Sequence, residues 1–316
     1  MQHTPLKSRM NLPTNRSLHD CLAFLDGRWV TNQETSLPLD DWGVLQGVML
    51  VERVRTYGGK LFQLPRHIAR LQDSVEAVGI AWNRWANFDL TEVCEKVAAA
   101  ALETVGDGND IGLVILATPG RVHGTEPTRI VHASELPWKR LAQWYVQGQD
   151  LVTATIRNVP NECWPVHIKT RSRLHYYLAD QQAAQAGPHA GAVMLGTRGQ
   201  VTETSFANVM MVDAQGDILA PRREDVLPGI SLELSLSLAA QLGINVRFED
   251  ISSEMFQSAR EIILTGTNGG IWGARSLDGV QLPEVTSHSV LYRLQESWEQ
   301  LVGLAYKEQA IRLAGL

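Results

Sequence analysis

"VMLVERVRTYGGKLFQLPRHIARLQDSVEAVG", Val48 to Gly79, carries a change of period that decides the fold of the first half. It reads as a long strand, a Gly58-Gly59 turn, a short return strand and then a helix. Pro65 suits the first helical turn, where its missing N–H is no loss. Ile68, Leu71, Val75 and Val78 then recur at spacings of three and four, which gives one apolar helix face. Gly79 supplies the stop. Upstream, "CLAFLDGRWV" (Cys21 to Val30) reads as strand, Asp-Gly turn, strand. Downstream, "TEVCEKVAAAALETVG" is a second helix with Thr91 as its cap, and "IGLVILAT" (Ile111 to Thr118) is a buried strand. The half is therefore a mixed sheet with helices on it.

From about His132 to Asp150 the pattern is irregular, and a domain junction is expected there. The second half opens with the strand "LVTATIRNVP". A helix is expected from about Ser172 to Ala186, with Leu174, Tyr177 and Leu178 on one face. Three strands follow in "AVMLG", "QVTET" and "ANVMMVD", then a helix and strand in "LPGISLELSLSLAAQLGINVRFED". "EIILTGTNGGIWG" is a strand running into a Gly-rich turn. The expected organisation is a mobile tail over 1–20, a small α/β domain over 21–140 and a larger domain over 141–316.

The 316 residues are 44% apolar, enough for a large core, and carry a net charge of -6. No long basic stripe occurs, so a nucleic-acid partner is not expected. Cys21, Cys94 and Cys163 lie far apart, with no CxxC and no metal-ligand spacing. This fits a reducing cytoplasm and no metal centre. The polar start "MQHTPLKSRMNLPTNRS" lacks the apolar core of a signal peptide, and no apolar run reaches the roughly 18 residues of a membrane span.

Two loops suit a phosphate. In "LPGIS", Ser231 sits at the start of a helix whose free N–H groups and dipole favour an anion. In "LTGTNGG", a strand ends in small residues whose N–H groups can converge on an oxyanion. Neither loop fits a nucleotide-binding motif. On pattern alone both are also ordinary caps and turns, and a single small phosphate shared by the two is the reading that joins them.

The chain holds six lysines against 22 arginines. Only Lys169, in "HIKTRSRLHYYLADQQAAQAG", follows an apolar strand-like run and precedes a helix. A nucleophilic lysine must be deprotonated part of the time, which burial promotes. Glu203, in "GQVTETSFANVMMV", places a carboxylate between apolar strand segments. Taken one at a time, most lysines and strand glutamates are solvated.

The motifs "YGGKLFQLPRHIARLQDSVEAVGI", "IKTRSRL", "GQVTETSFANV", "VLPGIS", "LGINV" and "EIILTGTNGGI" stand in one order. In that order the chain resembles the class IV aminotransferases, the fold-type IV pyridoxal-phosphate enzymes. These include branched-chain and D-amino-acid aminotransferases and aminodeoxychorismate lyases. The separation of 34 residues between Lys169 and Glu203 is also similar to the family's. The resemblance implies an α+β chain with the two-domain D-amino-acid-aminotransferase-like fold. Its small mixed domain would be followed by a larger, cofactor-binding domain with a barrel-like sheet and helices. It implies pyridoxal 5'-phosphate as cofactor, held covalently by Lys169, with Glu203 beside the pyridine nitrogen. Arg70 matches the phosphate-binding arginine, Ile230 and Ser231 the phosphate loop, and Thr267 its second donor. Leu227 matches the residue against the ring face, and Asn208 a supporting asparagine. A homodimer acting on an amino acid and a 2-keto acid is implied, with a ping-pong mechanism. An alternative is the lyase outcome, in which pyruvate is eliminated and 4-aminobenzoate formed. A homologue that kept the fold without catalysis is a third reading, and the complete residue set argues against it.

The departures from the family surround the substrate. Val48 and Met49 stand where Gly-Asp-Gly often ends, Val51 where an aromatic residue often faces substrate, and Gly273 where a proline is usual. Asn268 falls in the same region. Arg121 and His123, in "TPGRVHGTEP", resemble a pair that D-amino-acid aminotransferases contribute from the partner subunit.

Overall fold

The hairpin turns where the glycines stand, with φ of 57° at Gly58 and 78° at Gly59, in the left-handed region that suits glycine. The structure, a computed structural model, describes residues 17–316. Of the tail expected over 1–20, residues 1–16 lie outside the described ones, and Leu18–Asp20 forms one 3-10 turn with Leu18 buried.

In chain order the first elements are β1 (Leu22–Leu25), β2 (Arg28–Thr31), α1 (Trp42–Leu45), β3 (Leu50–Tyr57), β4 (Lys60–Leu61) and α2 (Leu64–Ala77). Then come α3 (Trp82–Trp85), α4 (Leu90–Val105), β5 (Gly112–Thr118), β6 (Thr128–Ser134), α5 (Trp138–Gln147), β7 (Gln149–Arg157) and α6 (Leu174–Ala183). Next are β8 (Gly191–Leu195), β9 (Val201–Thr204), β10 (Asn208–Val212), β11 (Ile218–Pro221), α7 (Ile230–Gln241) and β12 (Val246–Glu249). The last are α8 (Ser253–Gln257), β13 (Glu261–Gly266), β14 (Gly270–Leu277), β15 (Val280–Gln281), α9 (Val290–Val302) and α10 (Tyr306–Ala314).

The first six strands form one antiparallel sheet in the order β2-β1-β6-β5-β3-β4. Leu71 and Val75 of α2 pack with Val93 and Val97 of α4 against Val54, Leu113 and Ile115 of the sheet. In the second sheet β10, β13, β14, β7, β8 and β9 pair in turn, and β9 pairs back to β10, which closes a six-stranded barrel. Two apolar clusters flank it, one including α5 and α10 and one including α7 and α9. The barrel-like sheet implied by the resemblance is thus present, beside a smaller mixed α/β unit.

Four local expectations are corrected. The stretch from His132 is ordered: β6 runs to Ser134, and the amphipathic α5 buries Leu141, Ala142 and Trp144. Residue 140 lies inside that helix. Helix α4 is capped by Asp89, which accepts from the Glu92 N–H at 3.0 Å, so Thr91 lies inside the first turn. On α6 the expected apolar face is solvent-exposed, at 70% for Leu174 and 61% for Tyr177, because Ala179 and Ala183 make the packed face. Lys169 follows turns and loop, not a strand, and only Thr170 bridges.

What orders that loop is β3. The Val51 N–H donates to Lys169 O at 2.9 Å, and the Arg171 N–H to Met49 O at 2.7 Å. The Lys169 N–H meets Ser74 Oγ of α2 at 3.3 Å. Side chains alternate along a strand. Leu50, Glu52 and Val54 therefore face α2, and Val51, Arg53 and Arg55 face the barrel side.

Candidate active site

A cleft of about 820 Å³, open mouth included, lies between α2 and the barrel. It brings together Arg70, Lys169, Glu203, Leu227, Ile230, Ser231 and Thr267, the seven cofactor-side residues expected from the sequence.

The Lys169 amine is pushed down to about 8, first by burial and then by the Arg70 guanidinium, with Glu52 opposing. A substantial neutral fraction is therefore present near neutral pH, as a nucleophilic amine requires.

Glu203, one residue before the end of β9, lies opposite Asn208 of β10. Its buried carboxylate accepts from Tyr176 Oη at 2.7 Å, Asn208 Nδ2 at 3.2 Å and the Leu227 N–H at 3.3 Å. Burial raises its pKa against those bonds and against Lys169. A carboxylate so placed gains from a further cationic N–H, the contact a protonated ring nitrogen makes. Asn208 also donates to Leu227 O at 3.0 Å, which ties the loop before α7 to β10. Gly229 caps α7 because a Cβ there would collide with Asn208 Oδ1.

Helix α7 starts at Ile230, so its first N–H groups and positive dipole end point at the cleft, with Ser231 beside them. Thr267 faces it from the turn after β13. Thr265 Oγ1 is buried there without a hydrogen-bond partner. An unpaired hydroxyl in a cleft of donors fits an anionic ligand oxygen. Amine, carboxylate, helix terminus and threonines together fit pyridoxal 5'-phosphate.

Arg70 is less free than the sequence suggests. Its Nε donates to Glu52 Oε1 at 2.7 Å, one Nη to Glu52 Oε2 at 2.9 Å and the other to Pro228 O at 2.8 Å. Those bonds use three of its five N–H donors and leave two for the cleft. Glu52 is fully buried and also meets His67 Nδ1 at 2.8 Å. Burial pushes its pKa up, but Arg70 and His67 outweigh that and hold it down at about 2.

Glu52, His67, Tyr176 and Thr265 are absent from the sequence reading. The His67/Arg70 spacing of i,i+3 puts both on one helix face and was a usable signal. Tyr176 and Thr265 carry no local signal, since their roles depend on strand and helix meeting across the chain.

Val51 and Asn268 line a second cleft, of about 910 Å³ with its mouth, which shares Lys169, Arg173, Ser205, Phe206, Gly266 and Thr267 with the first. The Asn268 carbonyl accepts from Arg55 Nη1 at 2.6 Å, and Asn268 Oδ1 is buried without a partner. Arg121 and His123 are exposed and line neither cleft of their own chain. The Arg121 guanidinium pairs with Asp40 at 2.9 Å.

The family model described as amino-transferase class IV matches residues 49–277. A branched-chain-amino-acid aminotransferase of Salmonella typhimurium is 25% identical over 87% of this chain and 91% of its own. A D-alanine aminotransferase of Staphylococcus epidermidis is 24% identical over 88% of this chain and 97% of its own. The crystal structure of the Escherichia coli branched-chain amino acid aminotransferase shares the fold, with a TM-score of 0.79 at 22% identity, covering 90% of this chain and 95% of that one.

Proposed function

The chain belongs to the class IV aminotransferases, and from that premise we propose a pyridoxal-phosphate-dependent transaminase that moves an amino group between an amino acid and a 2-keto acid. The observation that carries the reading is the convergence of a depressed lysine amine, a buried carboxylate and a helix N-terminus in one cleft. Arg70, Ser231, the α7 N-terminus and Thr267 would hold the phosphate. Glu203 would accept from the ring nitrogen, its two oxygens fixed by Tyr176 and Asn208. Leu227 would pack against the ring. When bound, the cofactor supplies an electron sink for the substrate's α-carbon. Lys169 would hold the cofactor, and its amine would move the proton at the substrate's α-carbon.

Two half-reactions in ping-pong order follow, with the donor class, branched-chain or D-amino acid, open to the relatives' two named activities. The reading extends to a homodimer in which Arg121 and His123 of one copy reach the other copy's substrate. It also extends to a small domain built on the antiparallel sheet, a larger domain built on the barrel, and the cytoplasm as compartment. Among the described residues no helix is long and apolar enough to cross a membrane.

The test is a spectral half-reaction screen of D- and L-amino acids against the cofactor-loaded protein. An amino acid that bleaches the bound-cofactor band names the donor. A protein that neither takes up the cofactor nor changes colour with any amino acid would overturn the reading. Pyruvate release without an acceptor keto acid would instead mark the lyase.

A further inference from the structure

The two oxygens of the Glu203 carboxylate are not held alike. Oε2 accepts from Asn208 Nδ2 at 3.2 Å and from the Leu227 N–H at 3.3 Å. Among the described residues Oε1 accepts only from the Tyr176 hydroxyl, at 2.7 Å. That bond is the shortest of the three and comes from α6, whereas the other two come from β10 and the loop before α7.

The carboxylate depends on that donor. Glu203 is buried, and burial drives it towards the neutral acid. Of the groups that oppose burial the Tyr176 hydroxyl comes first, ahead of the Lys169 amine, the Leu227 N–H and the Arg173 guanidinium. The Lys169 amine loses its charge as pH rises through about 8. The Tyr176 hydroxyl keeps its proton there, because burial first and then the Glu203 charge push its phenol well up.

Arg173 works on the same bond from the other side of the ring system. Its guanidinium lies over the Tyr176 ring, 4.5 Å from the centroid, and donates to Ser205 O. Its charge favours a more acidic phenol. A cation on an aromatic face draws on the ring's electron density, so the hydroxyl becomes a stronger donor to the carboxylate. His175 also packs on this ring, at 4.1 Å, but burial first and then Arg173 hold its imidazole down to about 4. At neutral pH Arg173 is therefore the charged one of the two.

We propose that Tyr176 is a positioning residue for transamination: its hydroxyl keeps Glu203 ionised and fixed for the cofactor's ring nitrogen, and Arg173, stacked on its ring, strengthens that hold. The inference deepens the transaminase reading and rests on it. A proton shared between Glu203 and a ring nitrogen goes to the nitrogen only where the carboxyl is the weaker base, and a protonated ring is the stronger electron sink.

The experiment uses the full chain in two states. In the cofactor-free protein, infrared difference spectra follow the carboxyl band that Glu203→Gln removes. Tyr176→Phe moves the titration of that band to higher pH. Arg173→Gln moves it the same way, and by less in the Tyr176→Phe background, because the two act through one bond. A fluorinated tyrosine in place of Tyr176, with the same shape and a more acidic phenol, moves it to lower pH. In the loaded protein, NMR of a cofactor isotope-labelled at its ring nitrogen reports the proton there. Tyr176→Phe shifts that resonance towards the unprotonated form and weakens cofactor affinity by about tenfold. The fluorinated residue shifts the resonance the opposite way. A band and a resonance that Tyr176→Phe leaves unmoved, or that both replacements move in one direction, overturn the proposal, and a loss of stability alone does the same. Where Tyr176→Phe folds poorly, the sign of the fluorinated residue's shift decides. A protein that takes up no cofactor fails as a transaminase, and the infrared titration then still decides whether Tyr176 governs Glu203.

Discussion

The two clefts meet at Lys169, Arg173 and Thr267 but differ in their charge balance. On the cofactor side the charges answer one another. Glu52 takes both Arg70 and His67, and Glu203 takes Tyr176, Asn208 and a backbone N–H. In the second cleft Arg53, Arg140 and Arg171 form no ion pair among the described residues, and Arg173, which lines both clefts, donates to Ser205 O and lies over the Tyr176 ring. A paired, buried set holds its geometry whether or not a ligand is there. The contrast sets a charge-balanced cleft beside one in which Arg140 and Arg173 are held by aromatic rings and a carbonyl.

The variant expected to separate the two most sharply is Lys169→Ala. It removes the group that moves the proton, so turnover falls by about 10²–10⁴-fold or more, as single-turnover kinetics will show. Glu203→Gln comes next. A charge-assisted bond to the ring nitrogen is lost, and turnover and cofactor affinity each fall about ten- to a hundredfold, measured by steady-state rates and cofactor titration.

Glu52→Gln tests the internal balance itself. Arg70 is left buried with its charge uncompensated, and stability falls by about 3–5 kcal/mol in denaturant unfolding. The wild-type sign is fixed by the depressed carboxyl. With a folded pKa of about 2 against an ordinary 4.5, Glu52 stabilises the fold fully above pH 4.5. That contribution is lost as pH falls towards 2, and the variant lacks this limb.

Smallest is a pH effect at the shared lysine. The folded chain disfavours the charged amine, so cofactor capture by the cofactor-free protein rises with pH around a midpoint of about 8. For the same reason Lys169 lowers stability as pH drops from 10.5 to 8, and Lys169→Met is more stable than wild type below pH 8.

The cofactor cleft was largely legible in the sequence because its residues sit in local motifs. "LPGIS" announces a helix start, and "IKTRSRL" and "GQVTET" place the amine and the carboxylate. The paired partners were not legible. Glu52 meets Arg70 only because β3 and α2 fold back on each other, and Tyr176 meets Glu203 only because α6 packs on β7 and β8, beside which β9 runs. Helix α5 was missed because "ELPWKRLAQWYVQ" mixes a proline, charges and aromatics. Its buried Leu141, Ala142 and Trp144 show the period only once the packed face is known. The arginine cleft was invisible for a similar reason. Its members come from β3, α5 and the loop after Lys169, three segments that read as a strand, an irregular junction and the start of a helix.

Borohydride reduction of the cofactor-loaded protein, followed by peptide mass spectrometry, tests the central assignment most directly. The account predicts a cofactor mass on the peptide that holds Lys169, and none after Lys169→Ala. A reduced adduct on Lys60, Lys96, Lys139 or Lys307, or no adduct at all, would contradict it.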